Sequence, residues 1–155
     1  MSDFARRMPS SVELMPMVQN HRFTVSTRGH NDIIDVSEKV QCAVVKSGMT
    51  IGTALVFVAG STAGITTVEY EPGLLKDLPE LFERLAPSNK PYHHDATWGD
   101  GNGYAHVRAS LLGSSFTVPF EDGRLLTGTW QQIVLIDFDN RPRTRTVIVQ
   151  ITGEK

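Results

Sequence analysis

Between Tyr92 and His106 the chain places Tyr92-His93-His94-Asp95, then Trp98, Asp100, Asn102 and His106, so three of its five histidines and two carboxylates fall within one short segment. Imidazole and carboxylate donors together suit a divalent metal, and imidazoles also exchange protons near neutral pH. Two adjacent histidines in an extended segment point opposite ways, which leaves one of His93 and His94 for the site. Asp100 and His106 must fold back to meet it. No HExxH or CxxC spacing is present, so the pattern is equally open to a polar loop scaffold or a subunit contact.

Two glycine and hydroxyl clusters, Gly60-Ser61-Thr62-Ala63-Gly64 and Gly128-Thr129-Trp130-Gln131-Gln132, adjoin apolar runs. Such clusters let backbone N–H groups and hydroxyls approach an anion, although a bulge or a strand-entry turn uses the same residues. Neither has the Lys-Ser/Thr ending of a phosphate-binding loop. Arg141, Arg143 and Arg145 alternate and would share one face of a strand, either against phosphates or as protection of a solvated edge. Glu69 and Glu71 also share a face and offer a second source of carboxylate. No GxSxG motif supports a serine hydrolase.

The elements that must hold these residues follow from the spacing of apolar positions. His21 to Thr27 alternates as a half-buried strand, and Asp35 with Glu38 resembles a capping box before a helix that Gly48 stops. Ile51 to Ala59 is a continuous β-branched run, which predicts a strand covered on both faces. Gly64 to Tyr70 predicts another strand, and Pro72 opens a helix over Leu74–Leu85. Residues 88–103 read as a long polar loop, followed by a helix from Tyr104 to Leu112. Phe116 to Leu126 forms a hairpin around Glu121-Asp122-Gly123, and Trp130–Phe138 with Thr144–Thr152 forms a second pair around residues 139–142. Strands outnumber helices and the later ones are joined by turns, so the expectation is an α+β fold with a mixed, mostly antiparallel sheet and helices packed on it.

A length of 155 residues suits one domain, placed at residues 20–155 behind a flexible arm of residues 1–19. With 15 Lys+Arg against 17 Asp+Glu, the net charge of −2 gives no electrostatic case for a nucleic-acid or anionic-membrane partner. No segment is apolar for long enough to span a bilayer or act as a secretory signal, which makes the cytoplasm the default address. The single cysteine, Cys42, has no internal partner and reads as a small core residue.

Three stretches in one order, FVAGSTAGITTVEYEPGLLKDL, YHHDATWGDGNGYAHVRASLLGSSFTVPFEDGRLLTGTWQQIVLIDFDN and RTRTVIVQITGE, resemble the YjbQ-like family, also called the secondary thiamine-phosphate synthase family. The resemblance covers roughly residues 20–154. It implies a compact homotrimeric α+β domain with a weak ability to join a pyrimidine pyrophosphate to a thiazole phosphate. It places His94 as the loop histidine, Asp100 and Asn102 as the acidic–polar pair, His106 as the helix histidine and Gly128-Thr129-Trp130-Gln131 as the family's conspicuous turn. The family pattern has His-Thr-Thr-Ala where this chain has Gly60-Ser61-Thr62-Ala63, so a three-histidine metal set lacks its first member.

On this reading Asp100 and Glu69 hold a divalent metal, Mg²⁺ or Zn²⁺, and His94 and His106 either ligate it or donate to phosphate oxygens. Ser61, Thr62 and Thr129 cradle phosphate, Asn102 and Gln131 complete the polar lining, and Trp98 or Trp130 stacks the pyrimidine. The alternative is a trimeric protein that binds a metal, a phosphate or a small phosphorylated metabolite without turnover.

Overall fold

The computed structural model describes residues 17–155. In chain order, β1 (Met17–Thr27) and β2 (Asp32–Asp35) lead into α1 (Ser37–Ser47), and β3 (Ile51–Ala59) and β4 (Ala63–Val68) precede three helices, α2 (Leu74–Leu85), α3 (His93–Trp98) and α4 (Gly103–Leu112). The chain closes with β5 (Ser115–Glu121), β6 (Arg124–Leu125), β7 (Gln132–Asp137) and β8 (Arg143–Glu154). These elements form one α+β domain with two antiparallel sheets, ordered β1-β8-β3-β5-β6 and β2-β7-β4.

Alternation of side chains across the strands sorts the core into layers. The inner face of the five-stranded sheet (Val56, Val58, Val118, Phe120, Val147, Val149, Ile151) packs on α1 and on Ile65, Ile133 and Leu135 of the smaller sheet. The opposite face of that smaller sheet, with Ile33, Val134 and Ile136, is covered by Phe82 of α2 and by Tyr104, Ala105 and Ala109 of α4. The strand buried on both faces is therefore β7, in which Ile133 to Asp137 are all buried. The expectation assigned that role to β3. In β3 burial instead alternates, and Phe57 is 37% exposed on the outer face.

Four further boundaries differ from the sequence reading. Strand β1 begins at Met17, so Met17–Gln19 belong to the sheet rather than to an arm, and the rest of the proposed arm lies outside the described residues. β7 and β8 do not pair: β7 lies between β2 and β4, whereas β8 lies between β1 and β3. The turn at residues 139–142 thus carries the chain from one sheet to the other. Part of the expected polar loop is helix α3. At α1, the Asp35 carboxylate accepts from Ser37 N–H at 2.8 Å, with no reciprocal bond from Glu38. The Gly48 stop is left-handed, φ 66°, and donates to the Val45 carbonyl, while the Asp122-Gly123 turn has both residues at positive φ, the geometry of a type I′ hairpin.

Candidate functional site

Helix α3 is short, and its left-handed end at Gly99 (φ 69°) followed by Gly101 (φ 65°) folds the chain back on itself. Helix α4 then starts against it, with the Asp95 carboxylate accepting from Gly103 N–H at 2.8 Å. Because successive helical residues diverge by about 100°, His93 faces solvent and His94 faces α4. One histidine of the pair does reach the site, by helical rather than extended geometry. The His94 and His106 rings lie 4.2 Å apart between centroids, tilted by 45°. Asp100 Oδ1 stands 3.5 Å from His94 Nε2. Burial, then the neighbouring His94, lower the His106 pKa from its ordinary value.

Beneath the histidines lies a network of buried charge. Asn102 is 5% exposed; its amide donates to Asp139 Oδ1 at 3.3 Å in one orientation and reaches Asp100 at 3.1 Å in the other. Asp139 also accepts from Arg143 Nε (2.7 Å), Thr62 Oγ1 (3.0 Å) and Asn140 N–H (2.8 Å). Burial alone would favour its neutral form, but these hydrogen bonds outweigh it and hold the Asp139 pKa below the usual carboxylate range. Arg145 makes a two-point contact with Asp137 (2.6 and 2.7 Å) and donates to Thr62 Oγ1, and Thr27 Oγ1 donates to Asp137. Arg143 and Arg145 are therefore partners of buried carboxylates in a central strand, not edge protection. Thr62 has both its donor and its acceptor engaged in this network. The turn before β2 braces it: His30 N–H donates to the Asp139 carbonyl at 2.7 Å, and a Cβ on left-handed Gly29 would meet that oxygen at 2.5 Å.

Above the network, His106 shares an open cavity of about 310 Å³ with Gly60, Ser61, Ser110 and Ser114. Ser61 and His106 are thus together, beside His94, Asp100 and Asn102. The remaining expected residues are elsewhere. Glu69, Thr129 and Trp130 line a separate cavity with Asp35 and Gln132, and Gln131 bonds Gly128 N–H and Thr67 Oγ1. Ala63 pairs with Asp137 and Val68 with Gln132, so the two groups sit at opposite ends of β4, roughly 17 Å apart at about 3.4 Å per residue. Glu71 is not a spare carboxylate. It accepts from Gly73 and Leu74 N–H at the start of α2, and those two bonds lower its pKa.

A resident metal fits this chain incompletely. The 3.5 Å between His94 Nε2 and Asp100 Oδ1 is long for a hydrogen bond and close to the edge of a tetrahedral zinc site, about 3.4 Å for ligands at 2.0–2.1 Å. Among the described residues, however, no three His, Cys, Asp or Glu side chains are grouped to hold an ion. The donor set of His94, Asp100 and His106 stops at a close pair with a tilted imidazole beside it.

Comparison with known proteins decides the family. The family model for UPF0047 protein YjbQ-like matches residues 21–154. The chain belongs to the YjbQ-like UPF0047 family. A UPF0047 protein of Archaeoglobus fulgidus is 41% identical over 128 residues, 82% of this chain and 96% of that protein. The UPF0047 protein YugU of Bacillus subtilis is 35% identical over 130 residues, 83% of this chain and 96% of its own. The crystal structure of a YbjQ-like protein of unknown function from Sulfolobus solfataricus superposes with a TM-score of 0.85 at 34% identity, covering 90% of this chain and all of that one. UPF0047 membership establishes the fold and leaves the chemistry of the family uncharacterised. No helix among the described residues is long and apolar enough to cross a membrane.

Asp137, Asp139, Ser110 and Ser114 are the site-bearing residues that motif reading passed over. The two aspartates were detectable: each interrupts an otherwise apolar run, QIVLIDFDN, and a buried carboxylate requires a cation, which the alternating arginines a few residues later supply.

Proposed function

We propose that the protein binds a small phosphorylated metabolite on the His94–His106 face, where the two imidazoles exchange protons with phosphate oxygens. The observation that carries this reading is the 4.2 Å pairing of the two rings at the rim of a hydroxyl-lined cavity, with Asp100 beside them. Imidazoles in such a pair share a small number of protons, so they can donate to an anion and take a proton back. The YjbQ-like resemblance adds a specific reaction. The thiazole nitrogen attacks the pyrimidine methylene, a C–N bond forms, the C–O bond to pyrophosphate breaks, and pyrophosphate leaves with the electron pair. His94 and His106 would donate to the departing oxygens, and Asn102 would orient Asp100. A divalent cation enters this proposal with the substrate, as magnesium pyrophosphate, rather than as a resident ion.

A homotrimer belongs to the same proposal. Leu55, Phe57 and Ile148 share the outer face of the large sheet, where Phe57 and Ile148 are register partners and no layer among the described residues covers them. Turnover without a natural role, or binding alone, both remain compatible with the same face.

The test is thiamine phosphate formation by the wild type and by the His106→Ala/Asp100→Ala double variant, supplied with Mg²⁺ and both phosphorylated halves. Loss in the variant with an unchanged circular dichroism spectrum supports coupling at this face. If neither protein forms product and wild-type stability does not rise with pyrophosphate, the metabolite reading fails, because a ligand of the folded state must stabilise it.

A further inference from the structure

The geometry points to Arg145 as the anchor of a phosphoryl-binding subsite in the cavity bounded by Gly60, Ser61, His106, Ser110 and Ser114. This inference rests on the reading of that face as a ligand site and adds where the phosphoryl group goes.

Arg145 is 8% exposed, and its Nε and Nη2 are fixed by Asp137 and Thr62. Its Nη1 has no hydrogen-bond partner among the described residues. The residue that stands beside Nη1 is Gly60. A Cβ on Gly60 would lie 3.1 Å from Nη1, and Gly60 lines the cavity. The absence of that side chain leaves the guanidinium edge open to a ligand.

The remaining walls match the same ligand class. Ser61 and Ser114 contribute hydroxyls and His106 an imidazole, while the Ser110 hydroxyl already donates to the His106 carbonyl at 2.8 Å. Donors from several sides suit a group with three terminal oxygens better than a planar carboxylate with two. The volume of about 310 Å³ admits a phosphoryl group with part of its carrier. Charge in the network is balanced, since Arg143 and Arg145 face Asp139 and Asp137. The attraction therefore comes from a rigidly aimed N–H and surrounding hydroxyls rather than from free positive charge. Rigidity matters because the donor has already lost its rotamer freedom before the ligand arrives.

Inorganic phosphate and pyrophosphate are the probes, with acetate as the carboxylate control, followed by calorimetry and ³¹P line broadening on the full chain. Ser110→Asp places a carboxylate in the cavity from an exposed helix position, so folding is retained. Arg145→Lys keeps the charge and removes Nη1. The expected result is saturable phosphate binding by the wild type, at least about tenfold weakening in Ser110→Asp, and no saturable acetate binding. Arg145→Lys should weaken phosphate by a similar factor. Binding that is unchanged in Ser110→Asp overturns the subsite whatever Arg145→Lys does, and so does acetate binding as tightly as phosphate. If His94→Ala abolishes phosphate binding while Ser110→Asp leaves it intact, the histidine reading stands and this one falls. If phosphate binding persists in His94→Ala but is lost in Ser110→Asp, the subsite stands and the role given to the imidazole pair falls.

Discussion

The two ends of the β4–β7 pair are built from the same antiparallel ladder and differ in almost everything else. At the Ala63–Asp137 end, two carboxylates and the Arg145 guanidinium are withdrawn from water, half-buried Arg143 closes over Asp139, and every carboxylate oxygen has partners. At the Val68–Gln132 end, Glu69 and Trp130 are exposed, and the side-chain hydrogen bonds there join neutral groups at the surface: Gln131 and Gln132 bond within their own turn and across to Thr67 Oγ1 and Tyr70 N–H. Burying ions is unfavourable unless geometry repays it, so a chain that does so has fixed those groups in place. The first end is a rigid platform beneath His94, Asn102 and His106. The second is an adaptable surface.

The largest effect should come from breaking the platform. Asp137 is fully buried and holds Arg145 at two points. Asp137→Ala leaves a buried guanidinium without its partner and should destabilise by about 3–5 kcal/mol, measured by urea unfolding. Replacing both members with apolar residues of similar volume, Asp137→Leu with Arg145→Met, should recover most of that loss while abolishing phosphate binding. A loss below about 1 kcal/mol in Asp137→Ala would place the pair among ordinary surface bridges and erase the contrast between the two ends.

The fold was legible where alternation and helix stops act locally. The strands at Ile51–Ala59 and Ser115–Glu121, the Gly48 stop and the helix ending before Gly113 all follow from spacing within a few residues. What was not legible depended on partners distant in sequence. The pairing of β8 with β1 and β3 rather than with β7 is set by which face each strand buries, and β7 is apolar on both. For the site, His94, Asp100, Asn102, His106 and Ser61 do meet, since four of them are carried on one local α3–α4 turn. Glu69, Thr129, Trp130 and Gln131 are glycine- and hydroxyl-rich or acidic in composition like the site residues, but the ladder register carries them to the far end of β4. Composition reports chemical type; only register reports which end.

A smaller effect should appear on the platform's rim as pH is lowered. An unfolded chain binds a proton on histidine near pH 6.5, whereas folded His106 resists it, first through burial and then through His94. The unfolded state therefore takes up the proton first, and stability declines as pH falls through about 6.5 until the lower folded pKa is passed. His106→Gln should flatten that part of the profile of melting temperature against pH between about 7.5 and 5.5. An identical slope in both proteins would mean that the imidazole pair is more open to water than its packing indicates. The Asp139 carboxylate contributes in the opposite range, its stabilisation being lost only as pH falls through a value below about 4.

The smallest effect belongs to the other end. Trp130 is 71% exposed, so Trp130→Ala should change unfolding free energy by no more than about 0.5 kcal/mol. It should also leave phosphate affinity at the His106 cavity unchanged within error, because β4 separates the two ends by roughly 17 Å. Light scattering on the variant reads whether Trp130 takes part in a contact with another copy. A several-fold change in phosphate affinity without a change in assembly would be the informative exception. It would mean that the β4–β7 ladder transmits between a rigid end and an adaptable one, with Asp137 as the first residue on the path, and the combined Trp130→Ala/Ser110→Asp variant would then depart from additivity.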